Sequence, residues 1–299
     1  MVDLLIRAVS YGILTGGIYV LVAVGLTLIF GVMDVVNFAH GAYLMLAMYA
    51  THVLWSTFDL NPFVAILVVA PLFFVFGAVS YRVLIHPIMG RSMFAQIFVT
   101  VGMIWVFENV ALYVFSPTPV RVRGLYGRLE FAGVPFEEVR VYGFAIAVVT
   151  TILLYAFLYR TTTGLNIRAT AESSDIAELM GIDVDRIYML TFGLGIALVG
   201  VAGTITVQLD SAEPTVWSYY VLIAFVIVVL GGLGNVTGTL LAGPLIGIIE
   251  SLAGLYLSPS MGPPIYYAIF IAILVLRATG HMDSFTARLR SLKSGGVSG

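Results

Sequence analysis

Ala8-Val-Ser-Tyr-Gly-Ile-Leu-Thr-Gly-Gly-Ile-Tyr-Val-Leu-Val-Ala-Val-Gly-Leu-Thr-Leu-Ile-Phe-Gly-Val-Met33 contains no charged side chain and no proline. A helix needs about 20 mostly apolar residues to cross the hydrocarbon of a bilayer, and this run exceeds that length. It is too long for a signal-peptide core and lacks a small-residue cleavage site before a soluble domain. It reads as a membrane helix over Val9–Gly31, retained in the mature protein. Similar runs follow at Val35–Phe58, Pro62–Tyr81, Met93–Phe115, Val141–Tyr159, Met189–Val207, Tyr219–Gly231, Val236–Leu257 and Gly262–Leu276. They are continuous rather than alternating apolar and polar, which argues against a β-barrel. The expected fold is an all-α integral membrane protein, a polytopic bundle of about 8–9 transmembrane helices. The second segment either spans or re-enters, broken near residues 35–41.

Composition agrees. Hydrophobic residues make up 60% of the 299 and charged residues 10%, against roughly 25% charge in an average soluble domain. There is no cysteine, so disulfides and thiolate chemistry are excluded. The only lysine is Lys293, in the polar tail, so no phosphate loop of the Gly-x-x-x-x-Gly-Lys-Ser/Thr type exists. The chain cannot hydrolyse ATP in that manner by itself. The net charge of −2, with no Arg/Lys cluster, gives no nucleic-acid signal. No metal-type cluster of His, Asp and Glu lies close in sequence, and no cofactor is expected.

Residues 1–280 read as one transmembrane domain with a charged connection at 160–188, and 281–299 as a polar, flexible tail. The positive-inside rule puts that connection, the Arg82/Arg91 loop and the tail in the cytoplasm. Ser116–Arg140, kept non-helical by Pro117, Pro119 and Pro135, then falls outside despite its arginines, which Glu130, Glu137 and Glu138 nearly balance.

Three features carry a possible mechanism. In Gly31-Val-Met-Asp-Val-Val-Asn37-Phe-Ala-His40-Gly41, polar side chains at membrane depth must face protein or a water-filled path. Asn37 and His40 belong either to a translocation path or gate, or to hydrogen bonds that join helices. Gly231-Gly-Leu-Gly-Asn235-Val-Thr-Gly238 repeats the pattern of glycine, asparagine and glycine between apolar runs. Such paired interruptions point to a transporter site, though a tight interhelical turn also accounts for the glycines. Glu108 and Glu250 place carboxyl groups within apolar runs, as cavity lining or interhelical partners. The third feature runs from Gly164 to Arg186. Ser173 or Ser174 can cap a short helix over Asp175–Met180 that Gly181 closes, with Ile176, Leu179 and Met180 on one side. A helix this short needs something to pack against.

Gly25-Leu-Thr-Leu-Ile-Phe-Gly31 through Asn37-Phe-Ala-His-Gly41, Arg168-Ala-Thr-Ala with Leu179-Met-Gly-Ile-Asp-Val-Asp-Arg186, and Leu230-Gly-Gly-Leu-Gly-Asn-Val-Thr-Gly238 with Ile249-Glu-Ser-Leu252 occur in this order. Together they resemble the permease subunits of branched-chain amino-acid ABC importers. The resemblance implies a multi-pass subunit of a prokaryotic cell (inner) membrane with a cytoplasmic C-terminus. It implies a translocation path for branched-chain or related hydrophobic amino acids, for which the polar residues noted above, Asn37, His40, Glu108, Asn235 and Glu250, are the candidates. It also implies a second permease subunit, homologous or identical, two cytoplasmic ATPase subunits and an extracytoplasmic solute-binding protein as partners. Residues 160–188 would be the element that couples to an ATPase, through Arg168, Glu172, Ile176, Leu179, Met180, Gly181 and Arg186. The sequence departs from the family pattern in three places. Leu165 stands where a basic residue is usual, Glu108 where glutamine often precedes asparagine, and the Arg-Pro-x-Gly ending reads Arg277-Ala-Thr-Gly280. Two rival functions remain open: the same machinery with urea, a short amide or a sugar as cargo, and a proton-coupled carrier using Glu108, Glu250 and His40.

Overall fold

Glycine sets the architecture, because without a side chain two helices can approach backbone to backbone. A computed structural model describes residues 2–122, 127–131 and 134–278, so the tail expected over 281–299 lies outside the described residues. Helix α1 (Val2–Met33) runs antiparallel to α10 (Val236–Tyr256). Gly12 meets Gly247, Gly16 meets Gly243 and Pro244, and Gly31 meets Gly234 along the seam. The hydroxyls of Thr27 and Thr239 bond across it at 2.9 Å. Helix α8 (Val184–Leu209) packs on another side of α1 through Gly25 and Gly195. Helix α3 (Pro62–Ser80) lies against α8 where Gly77 meets Ile196 and Gly200 meets Phe73.

Around this centre stand α2 (His40–Phe58), α4 (Met93–Phe115), α5 (Glu138–Arg160), α9 (Trp217–Gly231) and α11 (Gly262–Ala278). Among the described residues, six helical spans are long and apolar enough to cross a membrane: α1, α3 extended to Ile88, α4, α5, α8 and α10. Helices α9 and α11 are apolar but shorter. Helix α2, of 19 residues, turns ten of them into the interior. The protein is a multi-pass helical membrane protein: with α2, α9 and α11 the six spans make nine helices among the described residues, roughly consistent with the count expected from sequence.

Two of the segments start inside the bundle. Chain 34–39 is not helical, and α2 begins only where His40 Nε2 meets the Val22 carbonyl at 2.9 Å, well short of the end of α1. Asp34 takes φ +52° to turn the chain back inward. The break expected near 35–41 is therefore real. Helix α9 has 15 residues, about 22 Å of rise, against a hydrocarbon core of about 30 Å. Its first residue, Trp217, lies beside Gly41, the second residue of α2.

The ends of the bundle differ. At one, strands β1 (Arg128–Phe131) and β2 (Val134–Glu137) form an antiparallel hairpin, with Leu129 opposite Phe136. Hydrogen bonds between Val120 and Ala212 join that region to the α8–α9 connection. The side chain of Arg140 turns inward, donating to Thr15 Oγ1 at 2.6 Å and to Glu137 at 3.4 Å.

At the other end, 160–188 is more helical than the sequence suggested. Helix α6 (Thr162–Glu172), not foreseen, starts where the Thr161 hydroxyl accepts the Gly164 N–H at 3.0 Å. Helix α7 (Ser174–Leu179) is the short helix expected there, capped by Ser173 and followed by Gly181 at φ +83°. The base of this helical hairpin is tied to α3. Asp185 in the first turn of α8 accepts from Tyr81 at 2.7 Å and Arg82 at 2.6 Å, with His86 at 3.2 Å. Tyr81 and Arg82 belong to the π-helical turn Tyr81–Ile85, the kind of irregularity that re-aims side chains.

Candidate functional site

The residues singled out from sequence occupy two regions. The first is the broken middle of the bundle. Asn37 is fully buried, and neither its amide oxygen nor its amide nitrogen has a partner among the described residues. His40, equally buried, spends Nε2 on Val22 and leaves Nδ1 without one. Glu108 accepts the indole N–H of Trp217 at 2.9 Å, which fixes α4 to the start of α9. Away from this middle, nearer the hairpin end, Glu250 accepts from the Tyr219 hydroxyl at 2.6 Å, and its second oxygen is buried without a partner among the described residues. His40, Glu108 and Glu250 thus hydrogen-bond to three different groups and not to one another.

Asn235 behaves differently from Asn37, despite the similar surroundings in sequence. It is exposed, and its side-chain oxygen accepts the Gly238 N–H at 3.1 Å as the N-cap of α10. The two glycine motifs nonetheless meet in space: a Cβ on Gly31 would stand 2.8 Å from the Gly234 Cα. Gly232 and Gly234 hold φ of +98° and +76°, which L side chains rarely adopt, so these glycines make the turn itself.

An unpaired buried donor or acceptor costs about 1–3 kcal/mol. Asn37→Leu, close in size, should therefore leave the melting temperature equal or slightly higher. If Asn37 serves the path, uptake should fall several-fold in the same preparation. Poor expression and early melting would instead make Asn37 a structural bond that this conformation does not display.

The second region is the α6–α7 end. Arg168 donates to the Leu158 carbonyl at 3.1 Å and stacks over Tyr159 at 4.5 Å, pinning α6 to the end of α5. Arg168 and Asn235 share a cavity of about 210 Å³ between α1, α5, α6 and α10, which brings the second and third sequence motifs together. Ala177 is the side chain of α7 that packs inward. Ile176, Leu179 and Met180 are 63%, 86% and 78% exposed. Glu172, Gly181 and Arg186 are exposed as well. The apolar face inferred from spacing thus points away from the chain's own bundle.

Sequence reasoning missed Trp217 and Tyr219 as the partners of the half-buried carboxylates Glu108 and Glu250, and Arg140 as a residue lining the same cavity as Glu250. The signal available was local: Trp217-Ser-Tyr-Tyr220 opens a helix directly after the acidic, lysine-free stretch 210–216.

Comparisons with known proteins place the whole chain. The Methanocaldococcus jannaschii protein described as a probable branched-chain amino acid transport permease protein LivH is 27% identical over 277 residues, 89% of this chain and 87% of that protein. The high-affinity branched-chain amino acid transport system permease protein LivH of Escherichia coli (strain K12) is 26% identical over 287 residues, 90% and 92% of the two chains. The ribose import permease protein RbsC of Bacillus subtilis (strain 168) is 28% identical over 199 residues, 62% of this chain and 60% of that one. No solved structure matches the chain. The model of the family described as branched-chain amino acid transport system / permease component matches residues 8–278, and the chain belongs to that family.

Proposed function

We propose that this chain forms the translocation path of an ATP-binding-cassette importer for branched-chain or related hydrophobic amino acids. A second permease subunit, two cytoplasmic ATPases and an extracytoplasmic solute-binding protein complete the machine. It resides in the cell membrane of a prokaryote, with the α6–α7 end and the C-terminus in the cytoplasm and the β1–β2 hairpin outside. The cargo is inferred from the names of relatives that align along nearly the whole chain; the sugar permeases align over less of it.

The observation that carries the reading is the face of α7. Three large apolar side chains stand exposed beside charged helix ends, where neither lipid nor the chain's own core requires them. A groove on a partner protein would bury them, as in helix-in-groove recognition. The missing phosphate-loop lysine fits the same division between pore and motor. Residues 160–188 are the coupling element, and 1–280 act as one permease domain.

The purified chain alone should hydrolyse no ATP, and hydrolysis should appear when the partner ATPases are added. The measurement is phosphate release in detergent or nanodiscs. ATPase activity of the isolated, homogeneous chain would overturn this assignment.

A further inference from the structure

Near the hairpin end, a cavity of about 270 Å³ opens between α1, α5, α8, α9 and α10. Arg140 from the start of α5, Asp210 from the end of α8 and Glu250 from α10 all line it. Charged side chains drawn away from water are costly unless they are paired, hydrogen-bonded or face a polar cavity. Among the described residues Arg140 pairs with Glu137 at 3.4 Å, and no ion pair joins it to Asp210 or Glu250. Arg140 keeps Nε buried and Glu250 keeps Oε2 buried, both without a partner among the described residues. Tyrosines of α9 hold the two carboxylates in place: Tyr219 donates to Glu250 at 2.6 Å and Tyr220 to Asp210 at 2.5 Å. The Tyr19 hydroxyl adds a 3.1 Å bond to Tyr219.

Such a lining selects its occupant by charge. A lone cation would face the Arg140 guanidinium, and a lone anion would face two carboxylates. A dipolar molecule with ammonium and carboxylate on one carbon satisfies both. The ammonium donates to the free oxygen of Glu250 and to Asp210, while the carboxylate accepts from Arg140 in a charge-assisted bond. Ile18 and Leu209 line the same cavity and offer apolar surface to a side chain. The volume lies just under the roughly 300–1,000 Å³ of pockets for drug-sized ligands, which suits a smaller solute.

We propose that this cavity is a zwitterion-binding station for the α-amino and α-carboxyl groups of the cargo, with Glu250 and Arg140 as its two poles. The proposal rests on the reading of the cargo as an amino acid, and deepens it by naming where the chain would hold it.

The test uses the complete transporter in proteoliposomes, with permease, ATPases and binding protein. A diazirine analogue of leucine is supplied during ATP-driven turnover and irradiated, and adducts are mapped by mass spectrometry. Labelled leucine uptake is measured in parallel. The expected result is adducts on peptides carrying Ile18 and Tyr19, Leu209 and Asp210, or Glu250 and Ser251. Glu250→Gln should lower their yield roughly tenfold, the loss expected when one charge-assisted bond is removed. The adduct map of the unaltered protein decides the matter even if that variant does not fold. Normal leucine uptake with adducts only on other segments, or none on this chain, overturns the cavity assignment and leaves the importer reading intact. No ATP-driven leucine uptake by the unaltered transporter overturns the cargo reading and the cavity proposal with it.

Discussion

Leu179→Asp should leave the permease folded and inserted but abolish coupled uptake. Leu179 is the most exposed of the three apolar residues on α7, at 86%, so in the isolated chain a carboxylate there buries no charge and empties no core. The lone permease should keep its melting temperature within about a degree or two, as surface changes usually fall within about ±0.5 kcal/mol. In a partner groove the same change desolvates a charge where a leucine sat. Truncating a buried leucine already costs about 2–5 kcal/mol, and an unpaired charge adds to that, so ATPase recruitment should fall by a hundredfold or more. Leu179→Ala should fall between the two. Co-purification of the ATPases and melting of the lone permease are read side by side. Normal recruitment with a lowered melting temperature would place the α7 face against the permease itself.

Gly16→Leu should have the opposite signature, losing the folded protein whatever the partners do. A Cβ at Gly16 would run into the Gly243 carbonyl and come within 2.6 Å of the Pro244 Cα, both backbone. Backbone cannot rotate away as a side chain can, so α1 and α10 would have to separate along a seam that also holds the Thr27–Thr239 bond. Overpacking a core costs about 1–3 kcal/mol when side chains can adjust, and more is expected here. Gly102 in α4 has no atom within 4 Å of its would-be Cβ, so Gly102→Leu is the control and should be tolerated. Detergent-resistant monodisperse protein and its melting temperature are the readouts. Equal tolerance at both sites would mean that the close α1–α10 approach is not what holds the bundle.

Much of this was legible in the sequence because membrane helices are specified by length and apolarity. The spans at Pro62, Met93 and Val236 begin where the runs begin. Helix α7 was legible too, since Ser173, the Ile176/Leu179/Met180 spacing and Gly181 are local signals. Helix α6 was not, because Thr161-Thr-Thr-Gly164 reads as a loop until the Thr161 cap is seen, and Arg168 anchors it through contacts with α5. The midpoint starts of α2 and α9 depend on where His40 and Trp217 meet α1, α2 and α4, which no local pattern encodes. Asn37 and Asn235 share a sequence setting yet separate into a buried, unpartnered amide and an exposed cap. Their shared setting reports the two breaks, not a shared role. Glu250 stands out in the sequence as a lone acid in a helix, whereas Arg140 reads only as one charge of a polar loop. Its turn into the bundle toward Thr15 is a tertiary fact.

The most direct test of the account is labelled leucine uptake into proteoliposomes holding the permease pair, its ATPases and the binding protein. The driving force is varied between ATP inside the ATPase compartment and an imposed proton gradient. The account predicts uptake that requires ATP and every partner, and no uptake from the gradient alone. Uptake driven by the proton gradient in vesicles containing only the permease, without ATP, would contradict it and establish a proton-coupled carrier instead.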